Sequence, residues 1–417
     1  MSATATQTQT HTAAPSTPLP YSPSSQEAPL RPWKFHLDEA GAIIIAVHII
    51  AAASLFYYTP AAKTWWLTFV SWQLGNFGVT VGIHRLWSHR SYTASLPLRF
   101  ALGIMATMAF QQRIYWWAMR HRLHHRYIDT DMDPYNAKKG FWYTHIGWVY
   151  EKVHYPKMKL IDRKDLDEDI VVQLNKKYFV PLSIFFCFVA PTILGATWGD
   201  ALGGFLYGGC VARVAIWHCT WSLNSFAHLL GDQPYSTEHS AKGELIVAIL
   251  TNGEGHHNYH HEFPNDYRNG VKAHHYDPSK WLIWAFAKLR LAHSLITIPD
   301  AEIAKAEIQT LEQHARRMRQ IAEEEDRLLW GPELESLPVW TLAEMKRLVA
   351  DEGRDLFVID GLVLDFAAFT KRHPGGEKLL TAYRGKDATK AFYGPLNNHT
   401  KSARTLLRTM RIAKVAP

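Results

Sequence analysis

The chain has 417 residues, with 45 Lys and Arg against 38 Asp and Glu, giving a net charge of +7. That balance suits anionic lipid heads or a phosphorylated substrate, and no stretch reads nucleic-acid bases. Only three cysteines occur, none in a C-x-x-C pair, which excludes a disulfide framework and a thiolate metal site.

Residues 1–32 are rich in Ser, Thr, Pro and Gln, with no basic start and no apolar core, and are expected to be a disordered tail rather than a signal peptide. The mean hydropathy is only slightly negative despite that tail and a charged C-terminal third, so the apolar residues are concentrated, as in a membrane protein. They fall into four runs of bilayer-spanning length, about 40–58, 65–83, 178–198 and 201–221. The short links Pro60-Ala61-Ala62-Lys63 and Gly199-Asp200 fold these runs into two hairpins. Lys and Arg crowd between the hairpins (Arg85, Arg90, Arg120, Arg122, Arg126, Lys138, Lys139, Lys152, Lys157), so the positive-inside rule puts both termini and the histidine side in the cytosol. Two shorter apolar stretches, 100–110 and 281–291, read as interfacial helices, and Arg213 in the fourth run reads as a snorkelling or paired residue.

Histidines follow the ends of these runs. His121, His124 and His125 share the H-x-x-H-H spacing of His257, His260 and His261, and residues three and four apart share a helical face. Each run points three imidazoles at one spot, and neutral imidazole is the commonest metal ligand near neutral pH. Asn224 and His228 lie four apart. His84 and His89, five apart, are about 140° apart on a regular helix, so both reach one centre only if the helix ends or bends between them. Two half-sites suggest a two-metal centre, and an all-imidazole site fits iron, zinc or copper. His48, His145, His154, His274 and His275 read as satisfied polar histidines.

Residues 303–329 form an amphipathic pattern, read as a linker helix (298–335) lying on its own protein. A C-terminal domain (336–417) opens on the capping box Thr341-Leu342-Ala343-Glu344. A strand, Asp360-Gly361 turn and strand follow, then His373-Pro374-Gly375-Gly376, with His399 placed to ligate from the opposite side.

With these motifs in hand, residues of about 33–295 resemble the membrane acyl-CoA desaturases of the Δ9, stearoyl-CoA type. The shared stretches are His84-Arg85-Leu86-Trp87-Ser88-His89, His121-Arg122-Leu123-His124-His125, Asn224-x-x-x-His228 and Glu254-Gly255-His256-His257-Asn258-Tyr259-His260-His261. Residues 336–415 resemble cytochrome b5, in the order found in fungal Δ9 desaturases. The resemblance implies a mainly α fold: a four-helix transmembrane desaturase (33–297) with a cytosolic His-rich di-iron domain, plus a small α+β haem domain. It implies two irons held by His84, His89, His121, His124, His125, His228, His257, His260 and His261, with Asn224 holding a metal-bound water. His373 and His399 would hold haem b. Gln111, Trp117, Thr220 and Trp221 would line a bent acyl tunnel, and Gln112, Arg120 and Lys152 would face coenzyme A. His256 is left out of the ligand set.

The implied reaction places a cis double bond in palmitoyl- or stearoyl-CoA. It uses dioxygen and electrons from NADH, passed through cytochrome b5 reductase, in the endoplasmic reticulum membrane. The closed end of the tunnel is expected among second-run residues such as Phe77, Thr80 and Val81. Two other readings stay open: a membrane di-iron fatty-acid hydroxylase, and a metal- or haem-binding membrane sensor or transporter without enzymatic activity.

Overall fold

The computed structural model describes residues 31–324, 331–394 and 399–416; most of the expected N-terminal tail and the end of the expected linker helix lie outside the described residues. Two compact units divide at Thr310 and Leu311.

The first unit is helical. Helix α1 (Glu39–Tyr57) is capped by Asp38, whose carboxylate accepts from the Gly41 amide at 2.9 Å. Ile43, Ile45, Ile49, Leu55 and Phe56 stand exposed along it, as they would toward lipid. After a four-residue link, α2 (Ala62–Phe77) runs on as a wider helix through Gly78–Ser88. Then come α3 (Leu96–Met108), α4 (Ile114–Tyr127) and the short α5 (Phe141–His145). Helix α6 (Ile170–Ala196) and α1 are the two described helices long and apolar enough by themselves to cross a membrane. Helix α7 covers residues 201–229 and, like the α2 run, contains a widened stretch, Gly204–Val211.

Helix α3 packs closely on α2 because Gly78 has no side chain: a Cβ there would lie 2.2 Å from the Met105 carbonyl carbon. On the far side of the bundle the two hairpin turns meet at one carboxylate. Asp200 accepts from Tyr58 Oη (2.5 Å), Thr64 Oγ1 (2.5 Å), the Ala61 amide (2.8 Å) and the Gly203 amide (2.9 Å). On the near side α8 (His257–Glu262) and α9 (Pro278–Lys288) return to the ends of α2 and α4. The first turns of helix α10 (Asp300–Glu324) lie on the first unit, where Ile303 and Ala306 pack with Tyr235 and Tyr259. Farther along, Ile308, Leu311 and Met318 are exposed.

Arg213 is fully buried rather than snorkelling, and it is paired by a hydrogen bond: its guanidinium donates to the Ser71 carbonyl at 3.2 Å.

In the second unit a four-stranded sheet runs in the order β1 (Val339–Trp340), β4 (Arg411–Val415), β3 (Leu362–Asp365), β2 (Leu356–Ile359). Asp360 and Gly361 both have positive φ, the two-residue turn whose twist matches a tight hairpin. Phe357, Ile359 and Leu364 pack with Phe366 and Phe392 under the short helices that carry His373 and His399.

Candidate metal centre

The nine histidines sort themselves into two groups. The ring nitrogens of His84, His89, His121, His125 and His260 lie within 4.8 Å of one another, and so do those of His124, His228, His257 and His261. Within the first group, Nε2–Nε2 separations are 3.0 Å (His84–His260), 2.8 Å (His89–His121), 3.1 Å (His121–His125) and 3.1 Å (His125–His260). Within the second they are 3.1 Å for both His228–His257 and His257–His261. Two nitrogens bound to one ion at about 2.1 Å and at right angles are about 3 Å apart, so these separations are the edges of a coordination polyhedron.

Hydrogen bonds among the rings cannot explain the convergence. Three Nδ1 atoms face partners on the outside: His124 lies 2.7 Å from Asp133 Oδ1, His228 2.7 Å from Ser240 Oγ, and His84 is 2.8 Å from Glu254 Oε2, whereas those of His257 and His260 have no hydrogen-bond partner among the described residues. Where the proton is held at Nδ1, the Nε2 lone pair faces the other rings, an arrangement a cation satisfies. Burial holds His89, His121, His125, His228, His257, His260 and His261 well below the ordinary imidazole value, with neighbouring imidazoles adding to the effect, so each stays neutral and ready to ligate. The donor set therefore suits two iron ions, one in a nest of five imidazoles and one in a nest of four.

His84 and His89 meet where the helix ends, at Ser88, as one of the two expected alternatives had it. The last turns of that helix are also irregular. It widens, and the His89 amide donates to the His84 carbonyl, five residues back, at 3.0 Å. That longer turn brings residues five apart onto one side, a distortion typical of functional helices.

The carboxylates behind the rings escaped the sequence reading. Asp133 follows the second histidine run in Asp129-Thr130-Asp131-Met132-Asp133; Asp129 Oδ1 takes the Ser240 hydroxyl at 2.6 Å. Glu254 is held in turn by Arg85 (3.0 Å) and Asn269, and Arg85 also donates to both oxygens of Asp277 at 2.9 and 3.2 Å. Gly253, at φ +108°, leaves room for Asp277, which a Cβ would contact at 2.4 Å. An acidic run just after a histidine run was the available signal. His256 stays outside, its Nε2 3.3 Å from the Tyr276 carbonyl and its ring stacked on His275.

A cavity of about 580 Å³ reaches both groups, with His84, His121, His124 and His257 in its wall. All seven residues expected to touch substrate line it: Gln111, Gln112, Trp117, Arg120, Lys152, Thr220 and Trp221; Asn224 does too. Gln111 donates to Thr220 Oγ1 at 2.7 Å across the cavity, and Trp117 stacks on His121 with ring centres 4.7 Å apart. Of the second-run residues expected at the closed end, Thr80 lines the cavity together with the neighbouring Asn76 and Val79, whereas Phe77 and Val81 are not among its lining residues. Only part of a helix's circumference faces any one cavity.

In the second unit the His373 and His399 ring centres are 6.4 Å apart. Two imidazoles each bound at roughly 2 Å to a central iron would show about that separation. His399 Nδ1 lies 2.9 Å from the Phe392 carbonyl, which leaves Nε2 free to ligate, and a Cβ at Gly375 would press on the His373 ring at 2.9 Å.

Two buried nests of neutral imidazole beneath long apolar helices, with a haem-binding domain on the same chain, define a membrane oxidoreductase that works with iron. Residues 63–295 match the fatty acid desaturase model, and residues 341–416 match the cytochrome b5-like haem/steroid binding domain. Similar proteins include the probable acyl-CoA desaturase of Schizosaccharomyces pombe, 41% identical over 94% of this chain and 80% of the relative. Acyl-CoA desaturase 1 of Saccharomyces cerevisiae is 36% identical over 93% and 71%. Stearoyl-CoA desaturase 5 of Homo sapiens is 39% identical over 62% and 81%. The chain belongs to the fatty acid desaturase family, an oxidoreductase family of membranes, and carries a fused cytochrome b5 domain that implies a redox partner.

Proposed function

We propose that this protein places a cis double bond at the Δ9 position of saturated acyl-CoA, palmitoyl or stearoyl, in the endoplasmic reticulum membrane with both termini and the metal centre cytosolic. The names of its relatives support the substrate class. The observation that carries the reading is the cavity, which joins charged Arg120 and Lys152 to the imidazole nests through a wall rich in aromatic and aliphatic side chains. A cationic entry fits coenzyme A phosphates, and an apolar interior fits an acyl chain.

His84, His89, His121, His125 and His260 would hold one iron and His124, His228, His257 and His261 the other, with Asn224 in the cavity wall to hold a metal-bound water. Iron, when bound, supplies the dioxygen chemistry that an unactivated methylene requires and no side chain provides. The chain's own residues position and shield. Trp117, Trp217, Trp221 and Phe110 exclude water, and the Gln111–Thr220 hydrogen bond fixes a constriction that sets which carbons pass the metals. Glu254, Asp133 and the Asp129–Ser240 pair keep protons on Nδ1, so that Nε2 stays a ligand. His373 and His399 would hold haem b, which with two imidazole ligands would serve electron transfer rather than oxygen binding. NADH–cytochrome b5 reductase feeds that haem, and fusion raises the local concentration of the donor.

The test supplies membranes containing the protein with reductase, NADH, dioxygen and palmitoyl- or stearoyl-CoA, and locates double bonds by mass spectrometry. A cis Δ9 product is expected. A hydroxylated product, or none with both cofactors bound, would overturn the proposal.

A further inference from the structure

Between α7 and α8 the residues Leu245-Ile246-Val247-Ala248-Ile249-Leu250 are all apolar, a run too short to span a bilayer. They form one short helix, Leu245–Leu250. Val247 and Ala248 are buried against the protein, whereas Leu245, Ile246, Ile249 and Leu250 are exposed, Ile246 to 66%. Neighbours and residues four apart share a side of a helix, so one side of the molecule here is paved with aliphatic carbon. A helix that is apolar all round belongs inside something, protein or lipid. The described protein covers one face only.

The helix runs back down the bundle. It starts beside the end of α7, where the Lys242 amide donates to the Ala227 carbonyl at 2.7 Å, and it ends beside α2, where Asn76 Nδ2 donates to the Leu250 carbonyl at 3.0 Å. Tyr58 and Ala61 both bond Asp200, so α1 and α2 share one level on the far side. From that level α1 extends through 19 residues, about 28 Å, whereas Asn76 stands 14 residues beyond Ala62 on α2, about 21 Å. The tip of the short helix therefore lies about 7 Å deeper than the near end of α1, a helix of bilayer-spanning length.

A segment that enters hydrocarbon and comes back must satisfy its polar backbone within the protein. This one does. Glu244 Oε2 accepts from the Val247 amide at 2.8 Å, Thr251 Oγ1 donates to the Val247 carbonyl at 2.5 Å, and the Gly253 amide donates to the Ala248 carbonyl at 2.8 Å. Asn252 and Gly253 both have positive φ and reverse the chain, and Asn252 Nδ2 donates to Gln73 Oε1 at 3.0 Å. The return arm lies directly on the helix because Gly255 has no side chain: a Cβ there would come 2.1 Å from the Ala248 nitrogen.

We propose that residues 244–256 are a re-entrant hairpin whose outer face, Leu245, Ile246, Ile249 and Leu250, lies among the lipid acyl chains of the leaflet on the side of the metal centre. The depth of the tip favours lipid, and so does the face itself, which carries none of the aromatic or arginine anchors that mark a protein contact. It also continues the exposed Phe226, Leu229 and Leu230 at the end of α7, where Lys242 Nζ donates to the Leu229 carbonyl at 2.9 Å. The hairpin is a wall one layer thick. Thr251 and Asn76 line the cavity, while Leu250 faces out, and the return arm carries Glu254 and His257. Lipid packed on the outer face thus bears on an element of the metal centre.

The experiment places nitroxide spin labels on the full chain in phosphatidylcholine nanodiscs, without substrate. The three native cysteines are buried, so labels go to Ile246→Cys, Ile249→Cys and Leu250→Cys, with exposed Lys159→Cys as the reference. Power saturation compares collisions with dioxygen, which concentrates in hydrocarbon, and with a nickel chelate, which stays in water. The ratio of dioxygen to nickel accessibility should exceed the reference several-fold at all three positions and should rise from 246 to 250. A ratio like the reference would place the face in water and overturn the proposal. Low accessibility to both probes would show a protein cover, a second copy of the chain included, and would overturn it too. Wild type gives an independent check: a phosphatidylcholine with a diazirine in its acyl chain should cross-link to the peptide containing 245–250, and labelling of exposed Ile49 on α1 without labelling there would refute the hairpin. Because no substrate is present, an error in the acyl reading leaves these outcomes unaffected and would appear only in product analysis.

Discussion

Replacing Asp133 by Asn tests whether the carboxylate behind His124 matters to the metal. Asp133 is 1% exposed, and its Oδ1 lies 2.7 Å from His124 Nδ1 while also accepting from the Tyr135 amide at 2.9 Å. Its Oδ2 accepts from the Asp129 amide at 3.0 Å. Asparagine keeps an acceptor for His124 but removes the charge. Losing such a partner typically weakens metal binding about 10- to 100-fold, which is about 1.4–2.7 kcal/mol. The loss should be confined to the four-imidazole nest, since His124 ligates there alone. The assay loads the purified full-length protein with iron, adds a competing chelator and follows release and the remaining iron per chain. Wild type should release both irons slowly; Asp133→Asn should release one of the two about tenfold faster or more. Asp133→Ala should do worse, because two buried amides also lose their acceptor, at about 1–3 kcal/mol each. Wild-type release from Asp133→Asn, with His124→Ala losing one iron, would refute the reasoning.

Arg85→Met should cost about 3–5 kcal/mol, because it strands the buried Glu254 and Asp277 carboxylates; thermal unfolding in detergent reads the loss. His373→Ala and His399→Ala should each abolish the haem Soret band, with product formation restored by added free cytochrome b5, whereas His125→Ala should stay inactive under the same rescue. The metal-free protein should lose stability as pH falls below about 6.5. Its buried histidines have folded-state values below their unfolded ones, so the unfolded chain binds more protons there and acid favours it; denaturation midpoints between pH 7 and 5 check the direction.

The parts of this site that were readable in the sequence are those set by short-range periodicity. H-x-x-H-H puts its imidazoles on one face, but the expectation that each run serves a single spot is corrected: His121 and His125 join one group and His124 the other, and His260 parts likewise from His257 and His261. The partition into five and four was not readable, because it depends on how α4 and α8 cross, which leaves His124 with His257 while its neighbour His125 joins His260. The His84–His89 spacing announced a departure from a regular helix, which ends at Ser88, but not the widened turns before it, because periodicity assumes average geometry. Asp133, Asp129 and Glu254 carry no signature apart from position, since a carboxylate after a histidine reads the same on a surface as behind a ligand. Thr80 and Val81 show the finest limit: adjacent residues differ in reaching the cavity, and only the rotation of the helix decides which one does.

The four hydrogen bonds gathered on Asp200 fix more than two loops. They make the far end of the bundle a pivot and the helices levers about it. Helix α1, at 19 residues, is about 28 Å long, so a tilt of about 5° at the pivot displaces its other end by about 2.5 Å. That end carries Asp38, Glu39 and Ala40 in the cavity wall. A helix pinned at one end turns a small angular fluctuation into a displacement on the scale of a hydrocarbon chain at the other, and α1 carries none of the nine imidazoles.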